Sequence, residues 1–376
     1  MLSEDGAYIG FDAIIGNPPW VSLMGKHNSI NDKSLLNYYK TIFPENTYMP
    51  NLYEYFIKRG IQLLKENGFN CLIVPDRIGS NESLTYLRNF ILKETTLIEI
   101  IYRWDFPDII TDTLTFMSKK VITDKYIINV KNNPKADFIQ IPNNVYLENE
   151  NNAFKSYKNK TVFSLINKLN KFPKLIDIAS ATSGFGGKAK LITRERVNQT
   201  QIQILKGRSI GKFETKESLY FDFIDENITG RTRDIEKLGY KPKILLRKTG
   251  GKLISTIDLS GIYPEQSLYF IYKLKNTISP FFLLCLMNSK LFNFFYLSEL
   301  VTNIDSTPQL KNSDLYKFPV KVASNQENYK IISNQILSLK QENSKVDTSI
   351  LEKEIDQMVY QLYDLTENEI AIVENS

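Results

Sequence analysis

Short apolar runs alternate with amphipathic stretches over the first third of the chain. Phe11 to Ile15 (FDAII) predicts a buried strand that runs straight into Gly16-Asn17-Pro18-Pro19-Trp20, where two prolines end any ladder. From Asn51 to Glu66, residues Leu52, Tyr55, Phe56, Ile57, Leu63 and Leu64 recur at helical spacing, and Asn67-Gly68 supplies a stop signal. Asn70 to Val74 predicts a second buried strand, stopped by Pro75. An amphipathic helix over Glu82 to Lys93 leads to a strand at Leu97 to Tyr102, and Thr113 to Met117 with Val121-Ile122 reads as a further strand. The order β, α, β, α, β, β implies an α/β domain with a mostly parallel sheet.

From Lys131 to Lys160 the composition turns to Asn, Lys and Glu, which predicts a loop or linker enclosing one edge strand at Asp137 to Ile141. Beyond it, short strand-like runs (Lys243 to Leu246, Ser267 to Ile271) mix with one apolar helix, Pro280 to Tyr296, as in an α+β domain. From Asn328 onward apolar residues recur at three- and four-residue steps, predicting helices packed on the preceding domain. Thr366 with Glu369 forms a capping box for a last short helix. The expected division is an α/β domain at 1–145, a linker at 146–165, an α+β domain at 166–325 and a helical tail at 326–376.

Composition narrows the chemistry. The 376 residues, 42% hydrophobic and 12% aromatic, suffice for two or three folded units at about 100 to 200 residues each. No apolar run approaches the ~18 residues that a membrane span needs, and Met1 to Gly10 carries acids where a signal peptide carries basic residues. The expectation is a cytoplasmic protein that does not engage a membrane. Cys71 and Cys285 stand far apart in apolar contexts, as buried thiols do. His27 is the sole histidine, which excludes His-rich metal sites and leaves a Ser-His-Asp triad only if His27 serves, so no metal is expected. Against 42 acidic residues stand 47 Lys and Arg, a net charge of +5 that permits a polyanionic partner.

Asn17-Pro18-Pro19-Trp20 carries the most chemistry. At the carboxyl end of a parallel strand, where open α/β sheets place ligands, it groups an amide oxygen, a rigid carbonyl and a flat aromatic face. That set suits an amino group on a planar ring. Asn17 Oδ1 and the Pro18 carbonyl can each accept one hydrogen of an exocyclic amine, favouring a pyramidal nitrogen, while Trp20 stacks on the ring. The same four residues also fit an ordinary strand-ending turn, with Asn capping and the prolines breaking the ladder.

FDAIIGNPPWV resembles motif IV of the gamma-type DNA adenine-N6 methyltransferases, Asn-Pro-Pro followed by an aromatic. The following segments keep that family's order: the helix NLYEYFIKRGIQLL, the strand NGFNCLIVPD, the strand IEIIYR, then FPDIITDTLTFM. Farther on, FPKLIDIASATSGFGGKAKLI, QILKGRSIGKF, KPKILLRKTGGKLISTID, LLCLMNSKLFNFFY and EKEIDQMVYQLYDLT resemble the TaqI-like specificity domain and tail of type IIG restriction-modification enzymes. The resemblance implies the C-terminal half of a Rossmann-like methyltransferase sheet, then an α+β target-recognition domain and a helical tail. It further implies S-adenosyl-L-methionine (AdoMet) as methyl donor and double-stranded DNA as partner. Asn17, Pro18, Pro19 and Trp20 become the catalytic set, with Phe106 on the other face of a flipped adenine.

One departure is large. In that family an aromatic-x-Gly-x-Gly loop for AdoMet precedes motif IV by many residues, whereas sixteen residues precede Asn17 here and none forms it. Gly184, Gly186 and Gly187 lie too late, at the start of the specificity-like region. The resemblance thus implies a portion that lacks much of its cofactor site, is inactive alone, and needs a further N-terminal segment or subunit.

Two basic clusters are candidates for DNA contact: Lys206, Arg208 and Lys212, then Lys241, Lys243, Arg247, Lys248 and Lys252, the second without an acid among them. Each fits a solvated charged face as well. Glu214-Thr215-Lys216 lacks the upstream Pro-Asp of a PD-(D/E)xK nuclease. Open alternatives are a non-catalytic DNA-binding remnant or subunit completed in trans, and a methyltransferase for an RNA base or a protein glutamine amide.

Overall fold

Parallel pairing of two hydrophobic strands sets the frame of the N-terminal part. The computed structural model describes residues 2–24, 33–45, 50–104, 112–301 and 309–376. His27 and Phe106 lie outside the described residues. The chain divides into two units, Met1–Phe163 and Ser164–Ser376.

In the first unit β1 (Phe11–Gly16) is followed by α1 (Lys33–Ile42) and α2 (Leu52–Leu63), and α2 runs without a loop into β2 (Leu64–Pro75). Then come α3 (Thr85–Glu94), β3 (Thr96–Tyr102), β4 (Thr113–Lys119), β5 (Ile127–Lys131), β6 (Ile139–Pro142) and α4 (Asn143–Glu148). Asn67-Gly68, expected to stop the helix, instead makes a bulge inside β2. There the β1–β2 register jumps from Phe11↔Leu64 to Ala13↔Phe69. Asn67 takes a left-handed φ of 66°, which Asn tolerates. A Cβ on Gly68 would lie 2.8 Å from the Phe11 carbonyl oxygen, so glycine lets β1 close on β2.

The sheet order is β1-β2-β4-β3-β5-β6. The expected mostly parallel sheet is corrected to a mixed one: β1–β2 and β3–β5 are parallel, whereas β4 is antiparallel to both β2 and β3, and β6 to β5. Returning from β3, β4 inserts between β2 and β3 and buries Leu114 and Phe116 completely. Val121 and Ile122, expected in this strand, lie beyond it, and Ile122 is exposed. Tyr53, Ile57 and Ile61 of α2 and Leu87 and Ile91 of α3 are buried, each large side chain stabilising the unit by about 1.5 to 3 kcal/mol.

Residues 146–165, expected to link two domains, are packed structure. Tyr146, Phe154 and Tyr157 are buried, and the fully buried Arg88 donates to the carbonyls of Ile78 (2.7 Å), Asn81 (2.9 Å) and Asn151 (2.7 Å). The division between units falls inside α5 (Lys160–Asn170).

The second unit contains β7 (Ser180–Ser183), β8 (Gly186–Gly187), β9 (Ile202–Leu205), β10 (Ile210–Gly211), β11 (Glu214–Thr215), β12 (Leu219–Phe221) and β13 (Ile228–Gly230). After α6 (Ile235–Leu238) follow β14 (Lys243–Arg247), β15 (Ser255–Asp258), β16 (Tyr263–Pro264) and β17 (Leu268–Tyr272). An antiparallel sheet β15-β14-β17-β7 and a smaller one, β12-β9-β16, share a core of Phe185, Ile204, Phe221, Leu245 and Phe270. The expected single helix at 280–296 breaks into α7 (Pro280–Asn288) and α8 (Lys290–Phe295), with a 57° bend. Ser289 makes the break: its hydroxyl donates to the Leu286 carbonyl at 2.7 Å and accepts from Phe292 N–H. After α9 (Asn312–Leu315), the tail helices α10 (Glu327–Glu342), α11 (Ser349–Leu362) and α12 (Glu367–Glu374) belong to this same unit. Asp356 of α11 accepts the Lys290 N–H at 2.8 Å, and Glu369 pairs with Lys168 at 2.8 Å. The Thr366–Glu369 capping box is present. No single described helix is long and apolar enough to cross a membrane.

Candidate functional site

β1 delivers Asn17 to the carboxyl end of the first sheet, one residue beyond the Gly16↔Leu72 pair. Asn17 is exposed and its side chain makes no hydrogen bond to a described residue, whereas Pro18 is buried and fixes the exit direction. Trp20 is half-buried, and its enclosed indole N–H has no hydrogen-bond partner among the described residues. The next turn is anchored to the start of α2: Val21 O accepts from Leu52 N at 3.0 Å, and Leu23 N donates to Pro50 O at 2.9 Å. Leu23, Phe43, Leu52 and Tyr55 form a small core beneath it. The segment is held on both sides while the Asn17 amide stays open.

Other polar groups gather at this end of the sheet because β2 and β3 end there too. Asp76 follows β2 directly and donates its N–H to Asp112 O at 3.0 Å. Burial and the Asp112 carboxylate push the Asp76 carboxyl above its ordinary range, against the pull of Arg103. Trp104, 40% exposed, donates its N–H to Thr113 Oγ1 at 2.9 Å. Trp104 and Asp112 flank the segment that carries Phe106, so its described ends lie at the same end of the sheet as Asn17. Sequence reasoning passed over Asp76; its signal was a carboxylate directly after the proline that ends a buried strand.

The basic candidates in the second unit do not form one surface. Lys243 is corrected: its side chain is 0% exposed, its ammonium lies 2.6 Å from Asp258 Oδ2, and it donates to Tyr240 O at 3.0 Å. Burial holds that ammonium below its ordinary pKa, partly offset by Asp258. Arg247 spends its Nε and one terminal nitrogen on the Gly207 and Ile210 carbonyls, each at 2.6 Å, and so clamps a turn onto β14. Lys212 pairs with Glu352 at 2.6 Å. Lys241 is exposed at the opposite end of β14 from Lys248, and Lys252 is exposed in the turn before β15. The turn that carries Lys206 and Arg208 and the end of β14 that carries Lys248 are both bonded to Ser267: Gly207 N donates to Ser267 Oγ at 2.9 Å, and Lys248 N to Ser267 O at 3.1 Å. Lys248 Nζ stands 5.3 Å from the Tyr269 ring centre.

The described residues contain no cluster of three His, Cys, Asp or Glu side chains able to hold a metal ion.

The first unit is thus a mixed α/β sheet whose first, parallel strand ends in an Asn-Pro-Pro-Trp turn, and the second is a mostly β unit that carries a helical tail. Residues 3–107 match the Eco57I restriction-modification methylase family, and residues 202–320 match the TaqI-like C-terminal specificity domain. A putative type II restriction enzyme and methyltransferase of Methanocaldococcus jannaschii is 23% identical over 94% of this chain and 31% of its own length. The Eco57I type II restriction enzyme and methyltransferase of Escherichia coli is 28% identical over 35% of this chain and 12% of its own. The chain therefore spans less than a third of either relative. Among solved structures, the type IIL restriction-modification enzyme MmeI, determined in complex with DNA, shares the fold with a TM-score of 0.54 at 11% identity, covering 96% of this chain and 55% of that one.

Proposed function

We propose that this chain is the catalytic and target-recognition portion of a site-specific DNA adenine-N6 methyltransferase of a restriction-modification system. The observation that carries the reading is Asn17, exposed and with no side-chain hydrogen bond to a described residue, at the carboxyl end of β1, followed by the buried Pro18 and then by Trp20. In this reading Asn17 Oδ1 and the Pro18 carbonyl accept the two hydrogens of the adenine amine. Trp20 stacks on the ring of a base taken out of the duplex at a cost of a few kcal/mol. Phe106 is the expected second stacking residue. The names of the two relatives, each a restriction enzyme and methyltransferase, support the reaction class.

AdoMet is the methyl donor this reading requires, and the residues present do not by themselves fit it. The sequence has no aromatic-x-Gly-x-Gly loop before Asn17. The outer edge of β1 pairs with no described strand, and Ile15 is 78% exposed. Pairing that edge with a strand from an N-terminal segment or separate subunit carries the missing loop to the site and covers an otherwise open edge.

The test is methyl transfer to adenine in duplex DNA by the chain joined to, or mixed with, such a segment. Asn17→Ala is expected to lower turnover at least ~100-fold with little change in DNA affinity. Equal loss of binding and turnover refutes the catalytic assignment.

A further inference from the structure

At the carboxyl end of β14, four segments distant in sequence meet. The turn at Gly207 bonds to Ser267, Lys248 bonds to Ser267 and, through its carbonyl, to Leu310 N at 2.9 Å. Gln266 N donates to Phe185 O at 2.7 Å, which sets Gln266 beside the β8–β13 ladder, where Gly186 pairs with Gly230. A Cβ on Gly186 would lie 3.0 Å from Gly230 O and 3.1 Å from Gln266 Oε1. Glycine there is what lets the β13 end and the Gln266 amide approach each other.

Arg231 leaves this ladder exposed, in a left-handed conformation (φ 64°) directly after Gly230 (φ 156°). It has no ion-pair partner among the described residues, and the Gln266 side chain makes no hydrogen bond to one. Burial, and then the charge of nearby Arg231, hold the Lys248 ammonium below its ordinary pKa against the opposing pull of Glu265, and the Arg231 charge also acts on Tyr269. The neighbouring carboxylate, Glu265, is buried and accepts from Ser267 N (3.0 Å) and Ser267 Oγ (2.5 Å). Two cations, one of them a planar guanidinium fork, thus stand near each other, and beside the ladder lies a side-chain amide that bonds to no described residue. Glu265 offsets the repulsion between the two cations only in part, and a polyanion relieves the rest.

The donors differ in geometry, and that divides their roles. A guanidinium fork matches guanine O6 and N7, and a glutamine amide matches adenine N6 and N7, while lysine acts as a point charge. We propose that Arg231 and Gln266 read base edges in the target duplex, and that Lys248 and Arg208 hold the adjoining phosphates. The assignment rests on the DNA-binding reading above and adds to it which residues set the recognised sequence.

The experiment is selection of bound duplexes from a random pool by the full chain and by Arg231→Lys, Gln266→Ala and Lys248→Ala, with melting curves to confirm folding. The wild-type chain is expected to enrich one sequence motif. Arg231→Lys and Gln266→Ala should each relax a single position by roughly 5- to 150-fold. Lys248→Ala should keep the motif but weaken all duplexes and reduce the slope of log affinity against log salt by about 0.9. A wild-type motif that survives both Arg231→Lys and Gln266→Ala overturns this assignment alone. A wild-type chain that binds no duplex overturns the DNA-binding reading and this assignment with it.

Discussion

Lys243 separates a folding role from a DNA-contact role within one residue. Its ammonium is enclosed 2.6 Å from Asp258 Oδ2, while Asp258 Oδ1 accepts from Ser260 N (2.9 Å) and Gly261 N (3.1 Å). Lys243→Met keeps the aliphatic stem but leaves the Asp258 carboxylate buried without its counter-ion, a loss of about 3 to 5 kcal/mol. For a unit of this size that lowers the melting temperature by roughly 6 to 20 °C, at 2 to 4 °C per kcal/mol. Adding Asp258→Asn removes the stranded charge and retains an oxygen for the two backbone donors, so the double variant should be more stable than Lys243→Met alone. Thermal unfolding of the four proteins closes the cycle. Because Lys243 does not reach solvent, the double variant should also bind duplex DNA with an unchanged salt slope. A well-folded double variant whose slope falls by about 0.9 refutes the structural role and restores Lys243 as a phosphate contact.

Trp20→Ala should lose stacking worth about 1 to 3 kcal/mol per base, and Trp20→Phe should keep most methyl transfer in the completed enzyme. Kinetics in which Phe does no better than Ala refute the stacking role. The raised carboxyl of Asp76 means that the folded chain holds this proton more tightly than the unfolded chain, whose value is ~3.9. Its ionisation therefore costs stability as pH rises from about 4 through the folded value, and the cost is complete above that. Asp76→Asn should melt higher than wild type at pH 7 and lose that advantage below about pH 3.5 in melting curves; a lower melting temperature at pH 7 refutes the account.

What the sequence revealed depended on how local the determining physics is. Asn17 to Trp20 was legible because two adjacent prolines must end a strand, β17 because its residues are all aliphatic or aromatic, and β14 because of the apolar run Ile244 to Leu246. The sheet order was not, since nothing in Thr113 to Lys119 says that it inserts between β2 and β3. Asn67-Gly68 was misread because the same φ > 0 preference serves a helix stop and a strand bulge; only the Phe11 carbonyl, far off in sequence, decides between them. Charge was the least legible property. Lys243 looked like its neighbours until the fold set Asp258 against it, and Arg247 until the turn at Gly207 took its donors. Arg231 lay in a short polar stretch with Arg233, and Gln266 sat between Glu265 and Ser267 just before the apolar run of β17, so neither carried a pattern of its own.

The same contrast bears on the open edge of β1. Burial along this strand does not follow the alternation of a strand paired on both sides: Asp12, Ala13, Ile15 and Gly16 are all exposed. Its inner edge is committed to β2 in parallel, with Asp12 also pairing to Lys65 across that edge. An isolated chain would gain by hiding Ile15, yet the Asn-Pro-Pro-Trp turn that follows fixes where β1 must end. In the reading proposed above, a parallel strand paired to the outer side would cover this edge and end beside Asn17, at the end of the sheet where open α/β sheets gather their ligands.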